Sequence, residues 1–266
     1  MKHTTEQGRS AQISDSRYQD IGNLPSNFVS YSFKSLYVRP LTVLELRLIS
    51  KAAVLKEPQH LLRAIDLVIS EDIDQITIGD FYYLLMWLRI HSMPKTPYVI
   101  EWHCEEKSPM DADGKRIRYD DPEFESLLSA GPVTYSPCLT HNSEIIHLTD
   151  VEIVSVPDDL EGLPDPQIPG TALDWPRVRD LAAIQEAFQD PELRLIIGPA
   201  QWVAGTSLAE KISILEQQPD LALFDFASSV NEQVVHGIRE TTTLTCRGCG
   251  IKRPHTLALD ALSFFR

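Results

Sequence analysis

Apolar residues recur at helical spacing in the first third of the chain, alternate at strand spacing in two stretches, and return to helical spacing after residue 169. Thr42-Val43-Leu44-Glu45 has the form of a capping box, with Leu41 placed to staple it. Val43, Leu46, Ile49, Ala53 and Val54 then continue at near-helical spacing. Pro58 suits the first turn of a second helix, whose stripe is Leu61, Leu62, Ile65, Val68 and Ile69. Thr77 can cap a third helix, apolar around nearly its whole circumference, as a helix in the middle of a bundle would be. Its aromatics Phe81, Tyr82, Tyr83 and Trp87 read as core.

Pro94 and Pro97 end that helix, and Tyr98 to Cys104 reads as a strand. The charged residues from Glu105 to Glu125 predict a solvated insertion, extending to residue 137. Ile145-Ile146-His147-Leu148 and Val151-Glu152-Ile153-Val154 predict two short strands. Ser35 to Pro40 reads as an edge strand. Residues 157–169 are rich in proline and aspartate and predict a linker. Beyond it, helices are expected over Pro176 to Phe188, over Pro191 to Val203, from a second capping box at Ser207 to Glu210, and after Pro219. Arg239 to Thr245 and Thr256 to Leu259 predict a closing strand pair around Cys246-Arg247-Gly248-Cys249-Gly250.

The expected architecture is α+β, a helical body with small antiparallel hairpins. Residues 1–30 form an extended N-terminal arm, since their few large apolar side chains cannot offset the entropy of ordering. Residues 31–156 form a helical block ending in a strand pair with the charged insertion 105–137. After the linker, residues 170–266 form a second helical block with the cysteine hairpin.

Composition narrows the function classes. Hydrophobic residues are 43% and charged residues 23% of 266, the balance of a globular chain. A formal net charge of −14 repels a phosphate backbone, and Arg247, Lys252 and Arg253 form the one tight basic cluster, at a hairpin tip. Nucleic acid is therefore not expected as a partner. The apolar run Phe81 to Leu88 is shorter than the roughly 20 residues of a spanning helix, so no membrane is expected. Met1 to Asp20 is polar throughout, so no secretory leader is expected either.

Cys246-x-x-Cys249-Gly250 has the spacing of a metal knuckle, in which two thiolates bind one ion and small residues let amides approach the sulfurs. Cys104 and Cys138 occupy corresponding ends in the other hairpin, so a structural zinc held by Cys104, Cys138, Cys246 and Cys249 is the expected site. The alternatives are reduced cysteines packed as small apolar groups and an iron–sulfur cluster on the same ligands. His103, His141, His147 and His255 lie near the cysteines in sequence. However, no H-E-x-x-H pair, no G-x-S-x-G elbow and no phosphate loop accompanies them, so no catalytic residues are expected.

Three elements recur in a distinctive order: Asn23-Leu24-Pro25-Ser26, then Leu36-Tyr37-Val38-Arg39-Pro40-Leu41-Thr42, then Ile76-Thr77-Ile78-Gly79-Asp80-Phe81-Tyr82-Tyr83-Leu84-Leu85 with Leu88-Arg89. A strand leading into Cys104 follows them. This ordered set resembles the baseplate hub proteins of T-even-type contractile bacteriophages, over about residues 23–104 and again at Thr245-Cys246-x-x-Cys249-Gly250 and Phe264-Phe265. Two departures stand out: Cys104 has no close second cysteine, and residues 157–236 match nothing in that pattern. The resemblance implies a non-enzymatic structural subunit of a virion tail, assembled in the host cytoplasm. It would be present in several copies and work through interfaces with other baseplate proteins. The rivals are a zinc-ribbon adaptor of a cellular complex and, behind it, a metal-dependent hydrolase.

Overall fold

The computed structural model describes residues 15–239, 241–257 and 265. The chain is α+β, and its described residues hold eight helices and a set of two-stranded antiparallel sheets, 36% helical and 18% strand. It divides into two compact units that interleave in sequence: residues 1–93, 152–238 and 259–266 form the first, and residues 94–151 and 239–258 the second.

In the first unit the helix starts lie where local chemistry puts them. α1 (Val43–Leu55) begins at the Thr42–Glu45 capping box. Glu45 is buried against Arg39, at 2.9 Å, and accepts from the Thr42 amide at 2.6 Å. α2 (Pro58–Asp66) opens on its proline and buries Leu61, Ala64 and Ile65. α3 (Ile78–Ser92) starts from Thr77, whose hydroxyl accepts from the Asp80 amide. It buries residues around its circumference, Phe81, Leu84, Leu85, Met86, Trp87 and Leu88 among them. Asp80 is itself buried and accepts hydrogen bonds from the Ser26 amide (2.9 Å), the Ser26 hydroxyl (2.5 Å) and the Tyr31 hydroxyl (2.6 Å). A buried carboxylate is tolerable only when so satisfied, and here it fastens residues 26–31 onto α3.

β1 (Gln19–Asp20) pairs with β2 (Tyr37–Val38) in this unit. Much of the arm expected over residues 1–30 is therefore packed: Leu24, Ser26 and Phe28 are buried, while residues 1–14 lie outside the described part. The segment 157–169 is irregular, as its prolines require, yet it joins two parts of one unit rather than two domains. Leu160, Leu163 and Ile168 lie against a core built on Trp175, Ile197, Trp202, Leu223 and Val230. α5 (Leu181–Ala187), α6 (Arg194–Ala200), α7 (Leu208–Glu216) and α8 (Ala222–Gln233) surround that core. The capping at α7 is shared differently from the expected box: the Ser207 hydroxyl caps the Glu210 amide, but Glu210 reaches back to Thr206 instead of Ser207. Lys211, fully buried, pairs with Asp180 at 2.7 Å.

The second unit is built from β-hairpins. β3 (Tyr98–His103) pairs with β6 (His141–Ile146), and β4 (Lys107–Met110) with β5 (Thr134–Pro137). Tyr98 faces Ile146 and Lys107 faces Pro137, so the two ladders share one register and form a single long hairpin, interrupted only where Cys104 and Cys138 sit. The charged stretch after Cys104 is thus not a solvated insertion over its whole length: Ser108 and Pro109 are buried in β4. Its tip, residues 111–133, carries the short helix α4 (Phe124–Ser129). The strands expected around residues 145–148 and 151–154 are not partners of each other. β6 pairs with β3, whereas β7 (Ile153–Val154) pairs with β8 (Gly237–Ile238) in the first unit. The closing hairpin joins β9 (Thr241–Thr245) to β10 (Lys252–Thr256), so its second strand begins earlier than expected and includes Thr256, and residues 258 and 259 lie outside the described residues. Phe265 is buried in the first unit, and Phe264 lies outside the described residues.

Candidate metal centre

Cys104 leaves the end of β3 and is held by its amide on the Thr140 carbonyl at 2.9 Å. Cys138 ends β5 with its amide on the Glu106 carbonyl at 2.7 Å. In the closing hairpin the Cys246 amide donates to Ile251 and the Gly250 amide returns to the Cys246 carbonyl, which curls Cys246 to Gly250 into a knuckle. Gly250 has φ +74, a conformation that an L side chain pays to adopt.

These two hairpins bring all four sulfurs together. Their ligand atoms lie within 4.8 Å of one another, and all four residues are buried. Cys104 and Cys249 sulfurs are 3.7 Å apart, and Cys138 and Cys246 sulfurs 3.6 Å. A disulfide needs about 2.05 Å, so these are not bonded pairs. A tetrahedral ion with metal–sulfur bonds of about 2.3 Å sets its sulfurs about 3.8 Å apart, close to the distances in these two pairs. The four cysteines predicted from sequence are therefore one cluster that can hold a metal.

The surroundings favour negative charge on one of the sulfurs. Burial opposes ionisation of Cys246, but the Cys249 and Gly248 amides, Cys138 and the Asn142 amide outweigh it and bring the thiol down to about 6. Burial, with the neighbouring sulfurs, pushes Cys104 up to about 11 and raises Cys249 as well. Their environment thus favours the thiolate at Cys246 and the thiol at Cys104 and Cys249.

Several contributing residues carry no motif. Residues 116–120 strap the knuckle: the Tyr119 amide donates to the Cys249 carbonyl (2.7 Å), and Arg118 reaches the Arg247 carbonyl. Arg116 donates to the Cys138 carbonyl (3.3 Å) and the Cys138 sulfur (3.4 Å). Asn142 accepts from the Arg247 amide (2.9 Å) and points its own amide at the Cys246 sulfur (3.6 Å). At Gly248 an added Cβ would lie 2.9 Å from the Cys138 sulfur, so the knuckle's glycine is a packing requirement of the cluster.

The histidines stand apart. His103 and His141 face each other across the ladder with ring centroids 4.7 Å apart, both exposed. Among the described residues neither they nor His147 or His255 join a group of three or more ligands. Four sulfurs fill a tetrahedron, which leaves no position for a reacting water. Among the described residues no helix is long and apolar enough to cross a membrane. Comparison of the chain with family models, curated proteins and solved structures found no match in any of the three.

Proposed function

We propose that the chain is a non-catalytic structural subunit of a contractile bacteriophage tail baseplate, acting in assembly through protein–protein interfaces, and that its four cysteines hold one structural zinc. The ordered motif set carries this reading, together with the meeting of two of its members: Ser26 of Leu24-Pro25-Ser26 donates to Asp80 of the third motif. A closed four-sulfur site supports the non-enzymatic part. Zinc suits it better than an iron–sulfur cluster because a single ion needs its sulfurs about 3.8 Å apart, near the 3.7 and 3.6 Å of two of the pairs and within the 4.8 Å that contains all four, while a multinuclear cluster spreads its ligands further.

A zinc-ribbon adaptor would share the cysteines but has no use for the N-terminal motif set. The test is genetic and structural. Tail genes should flank the gene, and co-expressing them with and without it, followed by electron microscopy, should give baseplates only when the chain is present. Tails that assemble normally without it, or a gene with no tail genes beside it, would overturn the reading. Elemental analysis of the purified chain should find about one zinc.

A further inference from the structure

The solvent face of α1 is unlike the rest of this acidic chain. Val43, Leu44, Val54 and Leu55 are 68%, 61%, 82% and 48% exposed. Arg47, Ser50 and Lys51 are exposed between them. At 100° per residue these side chains fall within an arc of about 140°, opposite the buried Glu45, Ile49 and Ala52. The only carboxylate on α1 is Glu45, which is buried on Arg39. A chain with 38 acidic and 24 basic residues thus presents here two cations, no anion and four large aliphatic side chains.

We infer that the α1 face is a docking site for an acidic amphipathic helix of another protein. The arrangement specifies that helix. Val43 with Leu44 and Val54 with Leu55 lie about 16 Å apart at 1.5 Å per residue, so the partner carries two apolar anchors about three turns apart. Carboxylates between the anchors meet Arg47 and Lys51. This is helix-on-helix recognition, with apolar contacts giving affinity and charge giving orientation and partner choice.

Other occupants fit less well. A helix lying in a membrane surface keeps its cations beside or opposite the apolar stripe, whereas here they interrupt it. A second copy docking α1 on α1 would bring Arg47 and Lys51 against their own like charges. Met1–Ser14 and Ala258–Arg266 of this chain each carry a single acidic residue, Glu6 and Asp260, and cannot supply the carboxylates. The inference gives one of the interfaces that the proposed function calls for, and it stands whether or not the assembly is a phage tail.

The full-length, metal-loaded protein should be titrated with a fluorescently labelled synthetic helical peptide bearing paired leucines three turns apart and glutamates between them. Saturable binding is expected, weakened at least about tenfold by V54S/L55S and by R47E/K51E, both of which should melt like the parent because every changed side chain is exposed. A peptide with lysines in place of the glutamates should bind R47E/K51E better than it binds the parent. No binding, or equal binding by parent and variants, overturns the inference. So does α1-dependent binding to vesicles of phosphatidylglycerol and phosphatidylcholine in place of the peptide. Dimerisation that V54S/L55S abolishes, seen by sedimentation, would likewise assign the face to a second copy and overturn it. Baseplates that assemble normally without the chain would sink the tail reading but leave the peptide result untouched.

Discussion

Stripping zinc should unfold the second unit and leave the first intact. Among the described residues, Tyr98, Ile100, Ile117, Leu148, Leu244 and Leu257 are the large apolar side chains buried in the second unit, beside its four cysteines. That is a thin core, so the zinc proposed above would supply much of the stability. The Cys104–Cys249 contact spans 145 residues and the Cys138–Cys246 contact 108. Closing one link of that length is worth about 4–5 kcal/mol in the chain-entropy description, and structural zinc sites reach about 10–16 kcal/mol of apparent binding free energy at pH 7. Taking the smaller figure as a floor, metal removal shifts the local equilibrium by about three powers of ten. Hydrogen exchange on reduced protein, zinc-loaded and then stripped by a chelator, reads this directly. The Cys104 and Cys246 amides, bonded to the Thr140 and Ile251 carbonyls, should lose at least about a thousandfold of protection, while α3 and α8 keep theirs. Cys249→Ser should reproduce the pattern. If the hairpin amides of reduced, metal-free protein stay within tenfold of the loaded form, the metal is not what holds this unit together.

Three further outcomes are expected. Gly250→Ala forces a side chain into φ +74 and places Cβ 2.8 Å from the Asp120 backbone nitrogen, so it should cost about 2–3 kcal/mol and speed zinc extraction; Gly114→Ala, at φ +77 in open space, should cost only about 1 kcal/mol, as melting curves would show. Burial raises the Glu45 carboxyl, but the hydrogen bonds from Arg39 and Thr42 outweigh it and hold the group down to about 2 against an ordinary 4.5. Its folded value being the lower, it contributes stability above pH 4.5, about 3 kcal/mol at most, which is lost as pH falls toward 2; Glu45→Gln should flatten that part of the acid-denaturation curve. Lys211→Met strands the buried Asp180 carboxylate and should cost about 3–5 kcal/mol in denaturant melts, with Asp180→Leu on the same chain restoring most of it.

How much of this was legible in the sequence depends on the range of the forces involved. The starts of α1, α2 and α3 could be read because Thr42, Pro58 and Thr77 act on amides within a turn. The α+β class followed from the change in apolar spacing. The interleaved units could not be read, because nothing near Ile153 says that its partner is Ile238. Proline density at 157–169 marked irregular backbone correctly. It says nothing of burial, and Leu160, Leu163 and Ile168 decide that by reaching the core.

The cluster's cysteines were legible because so few residue types bind soft metals, and four cysteines leave few ways to complete a knuckle. The groups around them were not, and the reason is electrostatic. A run such as Asp111 to Glu125 reads as solvated on the assumption that charge prefers water to the interior. That assumption fails beside a charged site, and under the proposed zinc reading four thiolates around a dication would carry a net charge of two negatives. Next to such a site a guanidinium recovers in Coulomb attraction and hydrogen bonds what it loses in hydration. In this segment Arg116 donates to the Cys138 sulfur and Arg118, paired with Asp120, reaches the Arg247 carbonyl, while Asp113, Lys115 and Glu123 stay exposed. The partner that Arg118 reaches lies over a hundred residues away, which the one-dimensional pattern has no means to express.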